Sequence, residues 1–233
     1  MDARVYRAAA PSGETAHRAP ARHAVAVLAC PCLCLGLAAA AMAGDALEVT
    51  VRDHDGAPVS GAVVSVHGLA AQPEAEQDRQ AVIEQVGARF VPDVLVVRTG
   101  TAVRFPNLDR IRHHVYSFSP ARRFELPLYS GEVHAPVVFD VPGVVVLGCN
   151  IHDWMLGYVV VLDTAWHARS GEDGVARIPA PPAEATVQVW HRSMAPDAEP
   201  VRVVLDGTGG WPGIEVGIDL STPPVVRSRG DAR

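Results

Sequence analysis

The chain has 233 residues, enough for one large or two small domains with a buried core. Apolar residues make up 48% and charged residues 20%, with no charge block or low-complexity tract, which excludes a chain disordered along its whole length. The formal net charge is -6 and lysine is absent, so nucleic acid and anionic membrane surfaces are poor candidates as partners, whereas a basic protein surface fits.

Residues 1–43 read as a targeting leader. Arg18 and Arg22 precede an apolar run over 24–43 that ends in Ala41-Met42-Ala43 before Gly44, a small-x-small pattern suited to signal peptidase. Cleavage is expected after Ala43, with export to the periplasm. A lipoprotein signal at Val27-Leu28-Ala29-Cys30 is the competing reading, but it would leave an apolar N-terminus. A permanent anchor is the other, since the run approaches the ~20 residues that span a bilayer. Its alanine richness and cleavage signal argue for removal and against stable membrane insertion. Losing four arginines and two acids with the leader takes the charge from -6 to -8. Cys30, Cys32 and Cys34 leave as well, so Cys149 remains without a partner for an intrachain disulfide. A lone thiol in an oxidising compartment is either an inert buried side chain or a metal ligand.

The rest of the chain reads as strands, because 20 glycines and 19 prolines are spread along it and no long amphipathic helix or repeat is evident. Residues 47–67 read as a hairpin, with Leu47, Val49 and Val51 alternating, a turn at Asp55-Gly56, and Ala62, Val64 and Val66 alternating again. Residues 70–80 read as a polar loop. Strands are then expected at 81–84, 94–98, 102–105, 113–118, 137–139, 144–147 and 158–162, a spacing that suits a Greek-key sandwich or barrel. Further strands are expected at 175–178, 186–190, 201–205 and 214–218. The residues from 220 to 233 lack periodicity and are expected to be disordered.

The stretch Gly148-Cys149-Asn150-Ile151-His152-Asp153-Trp154-Met155-Leu156-Gly157 sets a thiolate, an imidazole and a thioether at spacings of three and three in a loop between two strands. Soft sulfur suits reduced copper, imidazole suits both oxidation states, and a weak axial thioether tunes a potential. Methionine is foreign to structural zinc sites, which disfavours zinc. A second imidazole must come from an adjacent strand, and His113-His114 is the source. Alternation lets only one of the two face the metal. His113 shares its face with Val115 and Ser117 and is preferred; His114, with Tyr116 and Phe118, is the alternative. Trp154 is either a docking patch beside His152 or a core residue. His54, His67, His134, His167 and His191 lack ligand spacing and read as solvated or hydrogen-bonded surface side chains. No nucleophile elbow, phosphate-binding glycine loop or paired-carboxylate pattern appears, so neither hydrolytic nor transferase chemistry is expected.

The segments Phe90-x-Pro92, Thr99-Gly100-Thr101-x-Val103-x-Phe105-x-Asn107-x-Asp109, His113-x-Val115, Phe139-x-x-Pro142-Gly143 and Cys149-x-x-His152-x-x-Met155-x-Gly157 resemble the cupredoxins, and the two-residue gap before Met155 is similar to that of amicyanin. The arrangement is also similar to cupredoxin-like proteins labelled methylamine utilization proteins. The resemblance covers about residues 81–162. It implies a β-sandwich with one type 1 blue copper held by His113, Cys149, His152 and Met155, with electrons exchanged through the exposed edge of His152. His114 stands where the family commonly has an asparagine, and Asp153 where it has a proline beside the loop histidine.

The flanks, Val49-x-Val51-x-Asp53-x-Asp55-Gly56-x-Pro58-Val59-x-Gly61-Ala62-x-Val64 and Gly171-x-Asp173-Gly174-x-Ala176-x-Ile178, resemble the two halves of carboxypeptidase-regulatory-like, or transthyretin-like, β-sandwiches. The expectation is therefore all-β: a cupredoxin Greek-key sandwich over 70–163, inserted in a discontinuous sandwich built from 44–69 and 164–219. A cupredoxin with extra strands at each end is the other arrangement. The expected function is a periplasmic carrier of single electrons, not an enzyme, docking with a dehydrogenase or cytochrome. The alternatives are a copper-binding or copper-delivery protein without electron turnover, and a structural or ligand-binding sandwich.

Overall fold

Alternating apolar residues broken by glycine and proline make strands rather than helices, and the described residues contain strands and turns and no helix. The computed structural model describes residues 46–70, 72, 80–131, 134–180, 183–195, 198–207 and 213–220. The leader, most of the 70–80 loop and the tail beyond 220 lie outside the described residues. In chain order the strands are β1 (Leu47–Arg52), β2 (Val63–His67), β3 (Gln80–Val82), β4 (Glu84–Gln85), β5 (Phe90–Val91), β6 (Val94–Arg98), β7 (Thr101–Arg104), β8 (His113–Ser117) and β9 (Phe124–Tyr129). They continue with β10 (Val137–Phe139), β11 (Gly143–Gly148), β12 (Leu156–Leu162), β13 (His167–Arg169), β14 (Val175–Ile178), β15 (Glu184–Trp190), β16 (Val201–Asp206) and β17 (Ile214–Gly217). No helix among the described residues is long and apolar enough to cross a membrane.

The all-β expectation holds, and the strands form two sandwiches. One pairs a sheet of order β14-β1-β17 with a sheet of order β13-β2-β15-β16. Strands from the two ends of the chain therefore lie side by side: Val49 is opposite Ala176 on β14 and Ile214 on β17, and Val64 is opposite Ala168 and Val189. The other sandwich pairs β10-β7-β3 with the five-stranded β6-β12-β11-β8-β9, beside a short β4-β5 ribbon.

The hairpin expected over 47–67 is not formed. Gly56 does turn the chain, with φ at 79° and its N–H donating to Asp53 O. The return strand, however, pairs only at an Arg52–Pro58 bridge, and β2 then joins the opposite sheet. The reason lies in what each strand must bury. Leu47, Val49 and Val51 cover a single face of β1, while Val64 and Val66 on β2 meet them across the sandwich in one fully buried cluster. Facing sheets bury both stripes, whereas a hairpin would lay them side by side on one open face. Each such aliphatic side chain contributes about 1.5–3 kcal/mol when fully buried.

Strand β12 has apolar residues on both faces and serves two cores. On β12, Val159 and Val161 point into the second sandwich, whereas Tyr158, Val160 and Leu162 pack with Val63, Trp190 and Met194 of the first. The unbroken run Tyr158-Val159-Val160-Val161-Leu162 is the sequence counterpart of that double burial. This third cluster joins the sandwiches, and the Tyr158 and Trp190 rings meet edge-on at 5.2 Å.

Close backbone approach accounts for one glycine. Gly174 has φ at 77°, and a Cβ there would lie 2.7 Å from Val51 O and 3.0 Å from Pro58. Its carbonyl accepts the Val51 N–H at 2.8 Å, so the Asp173-Gly174 turn is seated on β1. Strand β9 is not among the expected strands, and Pro127 interrupts its pattern. It lies at the sheet edge, where a missing N–H costs no ladder bond.

Candidate metal centre

The site forms where the sheet of the second sandwich ends. Strand β11 delivers Cys149 one residue past Gly148, the loop 149–155 carries His152 and Met155, and β12 starts at Leu156. The loop closes on itself, since Met155 N–H donates to His152 O at 2.9 Å. On the neighbouring β8, burial alternates so that His113, Val115 and Ser117 turn inward and His114 and Tyr116 outward.

These elements bring three donors together. Cys149 Sγ lies 3.8 Å from Nδ1 of His113 and 3.8 Å from Nδ1 of His152. The three ligand atoms all fall within 4.8 Å of one another, and the set could hold a metal ion. The sulfur–nitrogen separations suit ligands around a common ion, as bonds of about 2.3 Å to sulfur and 2.0 Å to nitrogen subtend an edge of that length. The donor set fits a soft or borderline cation. His113 is fully buried, Cys149 is 3% exposed, and the two imidazoles stand 5.0 Å apart at 55°. Met155 is buried in the same apolar cluster as Cys149, among Phe90, Val115 and Leu147. His114 is elsewhere: its Nε2 meets Glu125 at 2.9 Å and its ring lies against Tyr116.

A hydrogen-bonded frame holds His113 in place. Asp109 Oδ2 lies 2.8 Å from His113 Nε2 and accepts the Ala88 N–H at 2.9 Å, while Oδ1 accepts the Gly87 N–H at 2.7 Å. A carboxylate only accepts, so the ring proton sits on Nε2 and the Nδ1 lone pair faces the cluster. Burial opposes ionisation of Asp109, but the bonds from Ala88, His113 and Gly87 outweigh it and hold the carboxyl below its ordinary pKa. Asn107 shapes the same loop, donating to Ile111 O and Tyr129 O and accepting the Asp109 N–H. Tyr129 closes the inner wall, its hydroxyl bonded to Phe105 O and to Gln85. Burial first, offset by Gln85 and reinforced by charge at Cys149, pushes its phenol up to about 12.

Outside the cluster, His152 is half-buried, and its ring contacts Trp154 at 5.0 Å. Trp154 is 43% exposed and Ile151 47%, so the tryptophan is a surface side chain beside His152 rather than part of the core. Asn107 and Asp109 stand in the sequence only as motif positions without these roles, although an acid four positions before a candidate histidine ligand is a signal that points to one of them. Of the other histidines, His167 and His191 are half-buried, and burial pushes both below the ordinary imidazole value. His67 is hydrogen-bonded to Ser65 and Asp163, as its sequence reading allows.

No protein-family model and no curated relative matches the chain. Among solved structures it is similar to a purple cupredoxin from Nitrosopumilus maritimus, at 26% identity over 35% of this chain and 99% of that one, with a TM-score of 0.32. A reduced mutant of amicyanin matches at 21% identity over 42% of this chain and 98% of the other, with a TM-score of 0.34. A copper-containing nitrite reductase from Thermus scotoductus SA-01 matches at 22% over 48% of this chain but 28% of the reductase, with a TM-score of 0.34. Scores that low make each a partial likeness.

Proposed function

We propose that the chain is a blue-copper electron carrier, with one copper ion held by His113, Cys149, His152 and Met155. The observation that carries this reading is the pair of 3.8 Å separations from one buried sulfur to two imidazole nitrogens, on a chain that places a buried methionine three residues after the second histidine. Copper bound there would supply a one-electron couple between its reduced and oxidised forms.

The chain's own residues do the rest. Cys149 binds as thiolate, and His113 and His152 through Nδ1. Met155 offers a thioether from the apolar side, where no water competes. The Asp109 frame keeps His113 from turning when charge arrives or leaves, which limits rearrangement. The half-buried edge of His152, ringed by Ile151 and Trp154, is the route for electrons to and from a redox partner such as a dehydrogenase or cytochrome. The metal site is then a carrier rather than a catalyst.

The strands flanking this sandwich are read as one discontinuous carboxypeptidase-regulatory-like domain that receives the cupredoxin-like segment as an insertion, a reading supported by the pairing of β1 and β2 with β14, β17, β13 and β15. A cleaved leader and a periplasmic location belong to the same proposal, as does the link to methylamine utilization.

Addition of Cu(II) to the purified chain should produce an intense visible thiolate-to-copper absorption that ascorbate bleaches and air or ferricyanide restores. Cys149→Ser should abolish it. A colourless complex holding only Cu(I) would instead indicate a copper-binding or copper-delivery protein.

A further inference from the structure

A second constellation lies where the two sandwiches meet. Ser65 and His67 are two apart on β2 and so share its outer face. Ser65 Oγ is 2.8 Å from His67 Nε2, and His67 Nδ1 is 2.8 Å from Oδ1 of Asp163, the residue after β12. The polarity of this chain is defined. The carboxylate accepts the Nδ1 proton, so Nε2 presents its lone pair to the serine hydroxyl. A serine, a histidine and an acid bonded in this order form the proton path that activates a nucleophile.

All three side chains line one cavity of about 540 Å³ between the sandwiches. That volume falls in the range of about 300–1,000 Å³ typical of small-molecule sites. Its wall is partly apolar, with Tyr158, Val160, Trp190 and Met194, and Gln188 and Arg202 supply N–H donors. Gln188 is the direct cross-strand partner of Ser65, so its amide projects from the same face of the sheet beside the hydroxyl.

We propose that Ser65, His67 and Asp163 form an acyl-transfer site that hydrolyses small carboxylic esters with an apolar acyl group. As Ser65 Oγ bonds to the ester carbonyl carbon, its proton passes to His67 Nε2. The carbonyl oxygen takes up negative charge facing the Gln188 amide. The carbon–oxygen bond to the alcohol then breaks, and the proton leaves on the alcohol. Water attacks the acyl-serine, gives its proton to His67, and the carboxylic acid departs as the Ser65 hydroxyl is restored. Asp163 holds the imidazole in the required tautomer throughout. This chemistry uses no part of the metal centre.

A fluorophosphonate probe tests the site on the full chain, because phosphonylation of an activated serine releases fluoride and leaves a stable adduct. Trypsin then yields the peptide 53–79, and fragment ions that separate Ser60 from Ser65 locate the modification. The expected result is one adduct, on Ser65, together with hydrolysis of 4-nitrophenyl butyrate that the probe abolishes. His67→Gln should slow labelling by at least about a hundredfold, the usual scale of lost general-base assistance. An unmodified Ser65 in the wild-type chain at saturating probe overturns the proposal without any variant having to fold. So does a His67→Gln protein, folded by circular dichroism, that labels as fast as wild type.

Discussion

Nε2 of His113 lies 2.8 Å from Oδ2 of Asp109, and this carboxylate also accepts two backbone N–H groups from the turn at Gly87 and Ala88. One acid thus ties a candidate ligand to a segment some two dozen residues upstream. Replacing Asp109 with alanine frees the ring to rotate and leaves both N–H groups unpaired. The expected result is metal affinity lower by about 10–100-fold with the visible band retained, measured by competition against a copper chelator.

The two adjacent histidines separate cleanly by experiment. His113→Ala removes a fully buried ring that faces Cys149 and should eliminate the blue absorption. His114→Ala removes only a partly exposed ring paired with Glu125, and should leave the absorption intact with stability changed by about 1 kcal/mol or less. Loss of colour in the second variant and not the first would exchange their roles.

Two glycines at the ends of the ligand loop should respond differently to alanine. A Cβ at Gly157 would lie 3.0 Å from Phe90 Cβ and Cδ2, and Phe90 is 2% exposed with nowhere to move. A Cβ at Gly148 would meet the outer end of the Tyr116 ring, which is partly exposed and can swing away. Gly157→Ala should therefore cost about 1–3 kcal/mol in urea unfolding, and Gly148→Ala clearly less.

His167 and His191 both set a lower pH limit for the metal-free fold. Burial is the main cause of their lowered pKa values; hydrogen bonds with Ala165 and Ser60 oppose it, and the nearby Arg98 and Arg169 add to it. The unfolded chain takes up these protons near the ordinary value of about 6.5, while the folded chain resists. Their contribution is therefore complete above about 6.5 and lost as the pH falls through the lower folded values. Urea midpoints of metal-free protein should drop between pH 7.5 and 5.5, and the double variant His167→Gln, His191→Gln should flatten that slope.

Local patterns in the chain determined which residues turn inward and which donors cluster. Alternation marked the strands, the unbroken apolar run marked β12, and spacings of three and three put Cys149, His152 and Met155 in one loop. These features depend on a residue and its near neighbours, so they are written in the chain itself. Partner choice is different, because a strand's own period says nothing about which distant strand meets it. Alternation already favoured His113 over His114, but only tertiary structure brought it to the sulfur, split the 47–67 pair between two sheets, and placed β9, with its Pro127, at an edge. It also joined Ser65 and His67 to Asp163, 96 positions beyond the histidine, since that contact exists only once the two sandwiches have packed.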